Sequence, residues 1–550
     1  MSNTPQPSHL ASSAASDIGS PTATEDKQAA EAISEVQEYL DVSQQRRRVL
    51  PRAVLVGVAA GSVAVVFRLL LVEADALRNT LIAASRQIPA IGWLAAMLFS
   101  AAGATASVML VQQFAPETRG SGIPHLKGVL HRLRELRWQR VLPVKMIGGV
   151  LALGSGLALG REGPTVQMGG ATGDAIARWL KAAPRERLTL TAAGAGAGLA
   201  AAFNAPLSGV IFVLEEMQRD FRPIVFGAAF ISAVVADILS RLVSGQAPVF
   251  AAPAYAMAPL SALPAFVLLG ITTGALGVIF NHSLLKLTRW VSAWPPQRKL
   301  TLAAAVGASI GLIAWFSPIA VGSGHVLLEN ALHAEIALAA IPFWFLARFA
   351  LTIISYSTGA PGGIFAPMLT LGGLIGLGVG YLTHAIAPEA APQPAVFAVV
   401  GMAAYFAAIV RAPLTGISLV VEMTGSYEQM LGLLVSCFVA YAVAELLKDL
   451  PIYEALLERD LAPSGLAARL KKPMVLDLTV EAGAPFEGRE ISKLGLPPGC
   501  ILVRCQDGGR EWVPTASTHI TAGMRITAVI APEAAHGLSL LRHGCQAEAS

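Results

Sequence analysis

Long apolar stretches without a charged residue alternate with short polar connections along the first 460 positions of the chain. Uninterrupted stretches free of Lys, Arg, Asp and Glu cover residues 188–214, 242–285, 300–328 and 390–410. Each stretch is long enough to cross the hydrocarbon core of a bilayer, which is about 30 Å thick. Their richness in Gly, Ala and Pro is typical of helices that pack closely or break inside a membrane protein. The pattern therefore predicts an all-α polytopic membrane protein.

The composition excludes a soluble globular protein and a nucleic-acid-binding protein. Of the 550 residues, 54% are hydrophobic and only 14% are charged, and the net charge of +4 is small for this length. Arg46, Arg47, Arg48 and Arg52 immediately precede the first apolar stretch, so the positive-inside tendency places the N-terminus in the cytoplasm. We expect a multi-pass inner-membrane protein with both termini in the cytoplasm.

The remaining polar features do not indicate an enzyme. The sequence contains no phosphate-binding loop, nucleophile triad or metal-ligand cluster, so we predict neither a cofactor nor a bound metal. Cys437, Cys500, Cys505 and Cys545 lack the spacing of a disulfide framework and are interpreted as free thiols. Residues 1–44, rich in Ser, Ala, Thr and acidic or amide side chains, are expected to form a disordered cytoplasmic tail.

An internal repeat divides the apolar part of the chain. Residues 194–215 align without gaps on residues 401–422, and both segments end in a glutamate after an apolar run. Upstream, the glycines and the proline of Gly160-Arg-Glu-Gly-Pro164 and the glycines that follow align with those around Gly363-Ile-Phe-Ala-Pro367. Two ordered blocks at nearly the same offset favour an inverted repeat, whose broken helices meet near the membrane midplane.

The repeat and the change of character after residue 461 give the predicted domain boundaries. The membrane domain covers 45–460, with its first half at about 45–245 and its second at about 255–460. Short β-rich runs separated by turn residues predict a small cytoplasmic α/β C-terminal domain at 472–532, followed by a tail at 533–550.

Three segments combine Gly with Pro in a way that suits an anion site. They are Gly120-Ser-Gly-Ile-Pro124, Gly160-Arg-Glu-Gly-Pro164 and Gly363-Ile-Phe-Ala-Pro367. Each is expected to end one helix and begin another, whose N-terminal amides carry about half a positive charge. Amide dipoles and a hydroxyl such as that of Ser121 bind a halide and still release it, whereas a buried Lys or Arg would hold it too tightly.

These three segments, in this order, resemble the signature motifs of the CLC chloride channel and transporter family. The resemblance covers residues 45–460 and extends to Val141-Leu-Pro-Val-Lys145, Glu215-Glu-Met217, Arg411-Ala-Pro-Leu-Thr-Gly416 and Pro451-Ile-Tyr453. It implies a homodimer with one anion pathway per subunit. It also implies chloride/proton exchange, with chloride and protons as the transported ions.

Two glutamates carry the proton coupling that the resemblance implies. Glu162, an acid among glycines at a helix start inside the membrane, matches the external gate and proton acceptor. Glu216 matches the internal proton relay, which passive channels usually lack. Glu215 aligns with Glu422 in the repeat and is therefore interpreted as structural, whereas Glu216 has no acidic counterpart.

The anion site implied by the same resemblance is built from six residues. The hydroxyls of Ser121 and Tyr453 would bound its inner side, and the backbone amides of Ile364 and Phe365 would complete it. Gly122 and Gly163 would let the backbone lie close to the anion. Ser121, in place of the proline of nitrate-selective relatives, favours chloride.

Two alternatives to the exchanger stay open at this stage. One is a passive, voltage- or pH-gated chloride channel, and the other is a fluoride/proton exporter of the same fold, which Ser121, Pro164 and Tyr453 disfavour. His125 and Lys127 replace acids that some bacterial exchangers carry, so the route of proton access is not settled by the resemblance.

The C-terminal domain resembles the C-terminal module of potassium-uptake regulators (TrkA-C). The resemblance is carried by Gly488-Arg-Glu-Ile, Leu496-Pro-Pro-Gly499, Val503-Arg-Cys-Gln-Asp and Ala522-Gly523. A pair of nucleotide-binding modules is the alternative, but it would need more residues than remain. The module is a candidate site for a small regulatory ligand.

Overall fold

The computed structural model describes residues 23–88, 90–219, 221–250, 252–253, 255–461, 473–507, 510–531, 534 and 537–546. Its helices before residue 462 are α1 Ala23–Ser85, α2 Gly92–Phe114, α3 Ile123–Leu130, α4 Trp138–Gly154, α5 Glu162–Trp179, α6 Pro184–Phe203, α7 Pro206–Phe212, α8 Pro223–Ser244, α9 Leu263–Ser292, α10 Pro296–Phe316, α11 His325–Leu332, α12 Ile341–Ser357, α13 Phe365–Ile386, α14 Ala395–Val410, α15 Pro413–Thr424, α16 Met430–Leu446 and α17 Ile452–Leu461. A π-helical turn, Val213–Gln218, continues α7.

The helices confirm the predicted all-α polytopic membrane fold. In the described ranges, seven are long and apolar enough to cross a bilayer. Others, such as α3 and α7, are too short to cross alone, and α3 begins inside the protein body. Their free backbone groups are tolerated because the surrounding helices, not lipid, enclose them.

The first helix begins earlier than the sequence analysis expects. α1 starts at Ala23, within the segment predicted to be a disordered tail, and continues into the first apolar stretch. Residues 24–45 are rich in Glu, Gln and Ala, which have high helix propensity, and this accounts for the extension. Residues 1–22 lie outside the described residues.

Glycines hold equivalent helix pairs of the two halves in direct backbone contact. In the α5–α6 pair, a Cβ on Gly169 would lie 2.2 Å from the carbonyl oxygen of Gly194, and the reverse distance is also 2.2 Å. In the α13–α14 pair, a Cβ on Gly372 would lie 2.4 Å from the carbonyl oxygen of Gly401. The sequence repeat aligns Gly169 with Gly372 and Gly194 with Gly401. The aligned glycines therefore occupy equivalent positions in the helix–helix contact of each repeat.

A small four-stranded domain follows the membrane domain. Strands β1 Met474–Thr479, β2 Cys500–Asp507, β3 Arg510–Trp512 and β4 Arg525–Ile530 form an antiparallel sheet in the order β1-β4-β2-β3. This confirms the predicted α/β C-terminal domain.

The C-terminal boundary differs from the expected tail. Helix α18, Gly537–Cys545, packs onto the sheet, and Leu541 and Cys545 are buried in the domain core. The run 537–545 is amphipathic, so its apolar face stabilises the sheet where an extended tail was expected. All four cysteines are free, as predicted, and all four are buried, which raises the pKa of the Cys545 thiol to about 11.

We predict that Gly169→Ala destabilises the membrane domain. The added methyl group would meet the α6 backbone, which cannot rotate away as a side chain can, and such overpacking costs about 1–3 kcal/mol. Gly378→Ala on α13 is the control, because its nearest neighbour would be an Ile341 methyl carbon at 3.7 Å. Thermal unfolding of the detergent-solubilised protein should give a lower apparent Tm for the first variant only. An unchanged Tm for Gly169→Ala would contradict the close-contact interpretation.

Candidate functional site

Each of the three Gly/Pro segments ends where a helix begins. Helices α3, α5 and α13 start at Ile123, Glu162 and Phe365, and each has a proline within its first turn. The α3 segment turns through Gly120 and Gly122, whose φ angles of 64° and 80° lie in the left-handed region that only glycine adopts without strain. The local chemistry of the sequence thus fixes three helix N-termini.

The three N-termini converge on one point inside the protein. Gly160 and Gly363 form a two-way backbone bridge, with each amide nitrogen 2.7 Å from the other's carbonyl oxygen. A Cβ on Gly163 would lie 2.7 Å from the Cβ of Ser121, so the α5 and α3 segments are also in contact. The structure therefore brings together all three segments that the sequence analysis selects.

Ser121 and Tyr453 are both fully buried on one side of this point. The Ser121 Oγ accepts a hydrogen bond from the Ile123 amide at 3.3 Å. The Tyr453 hydroxyl has no hydrogen-bond partner among the described residues, although it is completely enclosed. A buried hydroxyl without a protein acceptor suits a site for an anion.

Ile364 and Phe365 lie at the start of α13 and are also fully buried. The ring of Phe365 packs against Phe203, Phe212 and Phe406, with ring centroids 4.6–6.5 Å apart. This aromatic cluster fixes the Phe365 side chain at the start of α13. The first amides of α13 are therefore held in place without a counter-charge.

Glu162 lies on the other side of the converging N-termini. It is only 3% exposed. Its Oε2 has no hydrogen-bond partner in the described part of the chain. A Cβ on Gly160 would lie 2.2 Å from this oxygen and 3.1 Å from the Ala366 amide nitrogen, so the carboxylate sits against the first turn of α13. The carboxylate occupies a place where backbone dipoles favour negative charge.

Two cavities approach the site from opposite sides. The Glu162 cavity, of about 930 Å³, is lined by Glu162, Arg161, Arg68 and the C-terminal end of α10. The second, which we term the Tyr356 cavity, has a volume of about 740 Å³ and includes the N-terminal end of α10 in its lining. Because α10 has 21 residues and rises about 1.5 Å per residue, its ends are about 30 Å apart. The cavities therefore open towards opposite faces of the membrane.

The adjacent glutamates of the first repeat have different environments. Glu215 accepts hydrogen bonds from the amides of Leu414 and Thr415, at 3.1 and 2.7 Å, at the start of α15. Glu422 likewise accepts hydrogen bonds from the amides of Leu207 and Ser208, at 3.0 and 2.8 Å, at the start of α7. Each carboxylate thus caps a helix of the other repeat, as the repeat alignment of these two acids suggests.

Glu216 points into the protein and contacts a lysine. The π-helical turn Val213–Gln218 lets two successive acids face different surroundings, and its repeat counterpart in α15 is regular helix with Met423 at the equivalent position. Glu216 is 1% exposed, and its Oε1 lies 2.7 Å from the Lys127 Nζ. The Glu216 side chain does not line either of the two cavities.

A third element of the repeat was not predicted from the sequence. Gly322-Ser-Gly324 repeats Gly120-Ser-Gly122 at an offset of 202 residues, with φ angles of 69° and 90° at its glycines. Buried Lys145 donates to the carbonyls of Thr118 and Gly120, at 2.8 and 2.6 Å. Arg348 donates in the same way to Ala320 and Gly322, at 3.0 and 2.9 Å. The identical tripeptide was the signal that could have revealed it.

Tyr356, which was not predicted as a site residue, lies between the Tyr356 cavity and the buried Ser121. Its side chain interacts with the hydroxyl and the backbone of Ser121 and lines the cavity wall. A Cβ on Gly120 would lie 2.7 Å from its hydroxyl oxygen. An aromatic residue one position before a Ser-Thr-Gly turn carries no sequence signal that distinguishes it from a packing residue.

A buried site made of helix N-termini, with a carboxylate on one side and two hydroxyls on the other, defines a membrane protein of the anion-transporting class. The family profile described as voltage gated chloride channel matches residues 102–445. The chain therefore belongs to the CLC family. The profile of the TrkA-C domain matches residues 475–540, in agreement with the C-terminal sheet.

Curated relatives include proteins named H(+)/Cl(-) exchange transporter ClcA. The protein from Vibrio parahaemolyticus is 42% identical over 419 residues, which cover 75% of this chain and 90% of the relative. The protein from Cronobacter sakazakii is 42% identical over 429 residues, with the same coverage.

Solved structures give the same fold. A slow cyanobacterial Cl-/H+ antiporter superposes with a TM-score of 0.74 at 39% identity, over 76% of this chain and 99% of that chain. A CLC-type fluoride/proton antiporter superposes with a TM-score of 0.63 at 21% identity, over 74% and 97% of the two chains. At that identity the second comparison supports the fold alone.

Proposed function

We propose that this protein is a secondary active antiporter that exchanges chloride for protons across the membrane. The observation that carries the proposal is the Glu162 carboxylate at the N-terminus of α13, where it occupies a place suited to an anion. The names of the ClcA relatives and of the cyanobacterial antiporter support the same ions. The protein acts as a transporter in this proposal and not as an enzyme.

Competition at the site links the two fluxes. While Glu162 is ionised, its carboxylate is attracted to the amides that would otherwise bind chloride. Protonation removes that charge, so the side chain leaves and chloride binds to the amides of Ile364 and Phe365 and the hydroxyls of Ser121 and Tyr453. Gly122 and Gly163 keep the surrounding backbone close to the ion. Each proton that binds to Glu162 thus frees the anion site for chloride.

Glu216 is proposed to receive protons from the other side of the membrane. Tyr453 has both Glu162 and Glu216 among its electrostatic neighbours, so both acids lie near the proposed anion site. A second buried carboxylate away from the Ser121 hydroxyl serves protons and not anions. This residue favours an exchanger over a passive channel.

The face with the Tyr356 cavity is proposed to be cytoplasmic. The membrane-spanning part of helix α1 begins at Arg47, with Arg48 and Arg52 in its first turns, and reaches the Glu162 cavity only from Arg68 onwards. Its positively charged start therefore belongs to the opposite face, as the positive-inside tendency requires of a cytoplasmic N-terminus. A location in a bacterial inner membrane with both termini cytoplasmic follows from this orientation and from the bacterial relatives.

The proposed assembly is a homodimer with one complete pathway per subunit. Ser121, Glu162, Glu216, Phe365 and Tyr453 converge within a single chain, so no residue from a second copy is required at the site. The TrkA-C domain is proposed to bind a small regulatory ligand, a role supported by its family match.

We predict that the reconstituted protein reverses its current at a potential that depends on the proton gradient. With equal chloride on both sides and a pH difference across the bilayer, an exchanger has a non-zero reversal potential because each chloride is coupled to proton movement. The measurement is a planar-bilayer or vesicle null-potential titration. A reversal potential set by chloride alone would identify a channel. A current carried by fluoride and not by chloride would identify the fluoride exporter.

Glu162→Gln should abolish proton coupling while chloride still moves. The amide has the shape of the protonated acid, but it neither carries a proton nor competes as an anion. Chloride-driven proton uptake by vesicles is the measurement, with chloride flux recorded in the same preparation. Persistent proton pumping by this variant would remove Glu162 from the proposed gate.

Glu216→Gln should reduce proton uptake to background while chloride flux continues at neutral pH. Protons would then have no carboxylate relay through a low-dielectric interior that a bare charge cannot cross. Glu215→Gln is the matched control, because this neighbouring acid caps α15 and lies outside the proposed relay. It should keep coupling and lower thermal stability or yield. The opposite pair of phenotypes would reverse the two assignments.

A further inference from the structure

A buried ammonium group bridges Glu216 and a second carboxylate. The Lys127 Nζ lies 2.7 Å from the Glu216 Oε1 and 3.3 Å from the Glu454 Oε1. The side chains of Lys127 and Glu216 are 4% and 1% exposed, whereas that of Glu454 is 29% exposed. The three groups therefore form a short line from the protein interior towards the surface.

The outer end of this line is held in place by a further cation. Arg219, whose side chain is 48% exposed, forms an ion pair with the Glu454 Oε1. Arg219 follows the π-helical turn that carries Glu216, and Glu454 lies one residue after Tyr453. The line thus connects the surface to the segment that forms the anion site.

The inner carboxylate depends on Lys127 for contact with other titratable groups. Among the described residues, Glu216 Oε1 accepts a hydrogen bond only from the Lys127 ammonium, and Oε2 has no hydrogen-bond partner. A proton that reaches Glu216 from the surface by direct hydrogen bonds must therefore come through the lysine. The Lys127 ammonium and the Glu216 carboxylate are in direct contact inside the protein, and a proton transferred between them leaves two neutral groups.

We propose that Lys127 and Glu454 form a proton relay that loads Glu216, a proposal that rests on the exchange function given above. A proton from water binds to Glu454. The Lys127 ammonium gives one proton to Glu216, and the resulting amine takes the proton from Glu454. The cycle moves one proton from water to Glu216 and returns Lys127 to ammonium and Glu454 to carboxylate.

A proton relay and a fixed counter-charge require different chemical properties of the side chain at position 127. A counter-charge needs only a cation that pairs with Glu216, which arginine provides. A relay needs a cation that releases a proton, which arginine does not do in proteins. Lys127→Arg therefore separates the two roles while it preserves the charge of the site.

Lys127→Arg should lower chloride-driven proton uptake by about 100-fold, the lower end of what a positioned proton-transfer group contributes, while chloride flux persists. The measurement uses the full chain in vesicles, with pH and chloride electrodes in one chamber. Proton uptake within about twofold of the unmodified protein would overturn the relay, because the charge alone would then suffice.

Glu454→Gln is the second variant, since its partly exposed position tolerates change better than the buried lysine. It should slow proton uptake with chloride flux retained, because the outer proton acceptor is lost. Glu458→Gln is the matched control, one turn further along α17 with a similar partial exposure, and should leave both fluxes unchanged. Normal proton uptake by Glu454→Gln would overturn the relay even if Lys127→Arg fails to fold. Absence of proton uptake by the unmodified protein would instead refute the exchange function itself.

Discussion

The binding of an anion inside a bilayer without a full counter-charge is the constraint on which this structure depends. Free amides at helix N-termini supply the positive end of a dipole, but within a membrane such amides must be surrounded by protein. The fold meets this requirement by starting α3, α5 and α13 in its interior. Glycines at positions such as 169 and 372 then allow the neighbouring helices to close around them.

The two repeats are tied together by contacts that each makes to the other. Glu215 caps α15 and Glu422 caps α7, so removal of either acid exposes helix amides in the opposite half. The symmetry is broken at one place, where the π-helical turn directs Glu216 inward and the second repeat has Met423 instead. A proton-handling group could therefore arise in one half without loss of the cap that both halves need.

Local chemistry made part of this arrangement predictable from sequence. The starts of α3, α5 and α13 follow from Gly and Pro spacing, and the resemblance to CLC proteins supplied the expected roles of Glu162 and Tyr453. The contact between Lys127 and Glu454 joins positions 327 residues apart, and no pattern along the chain relates them. The helix before residue 47 and α18 were missed because polar composition was given more weight than helix propensity and amphipathic spacing.

The bridge between Gly160 and Gly363 limits how the molecule can alternate its access. Two backbone hydrogen bonds of 2.7 Å join the repeats at the point where the ion would pass, so the halves cannot rock apart without breaking them in a dry interior. Opening must then come from side chains and not from rigid-body separation. A cycle of that kind displaces little protein volume, and its rate should depend weakly on the thickness and lateral pressure of the surrounding bilayer.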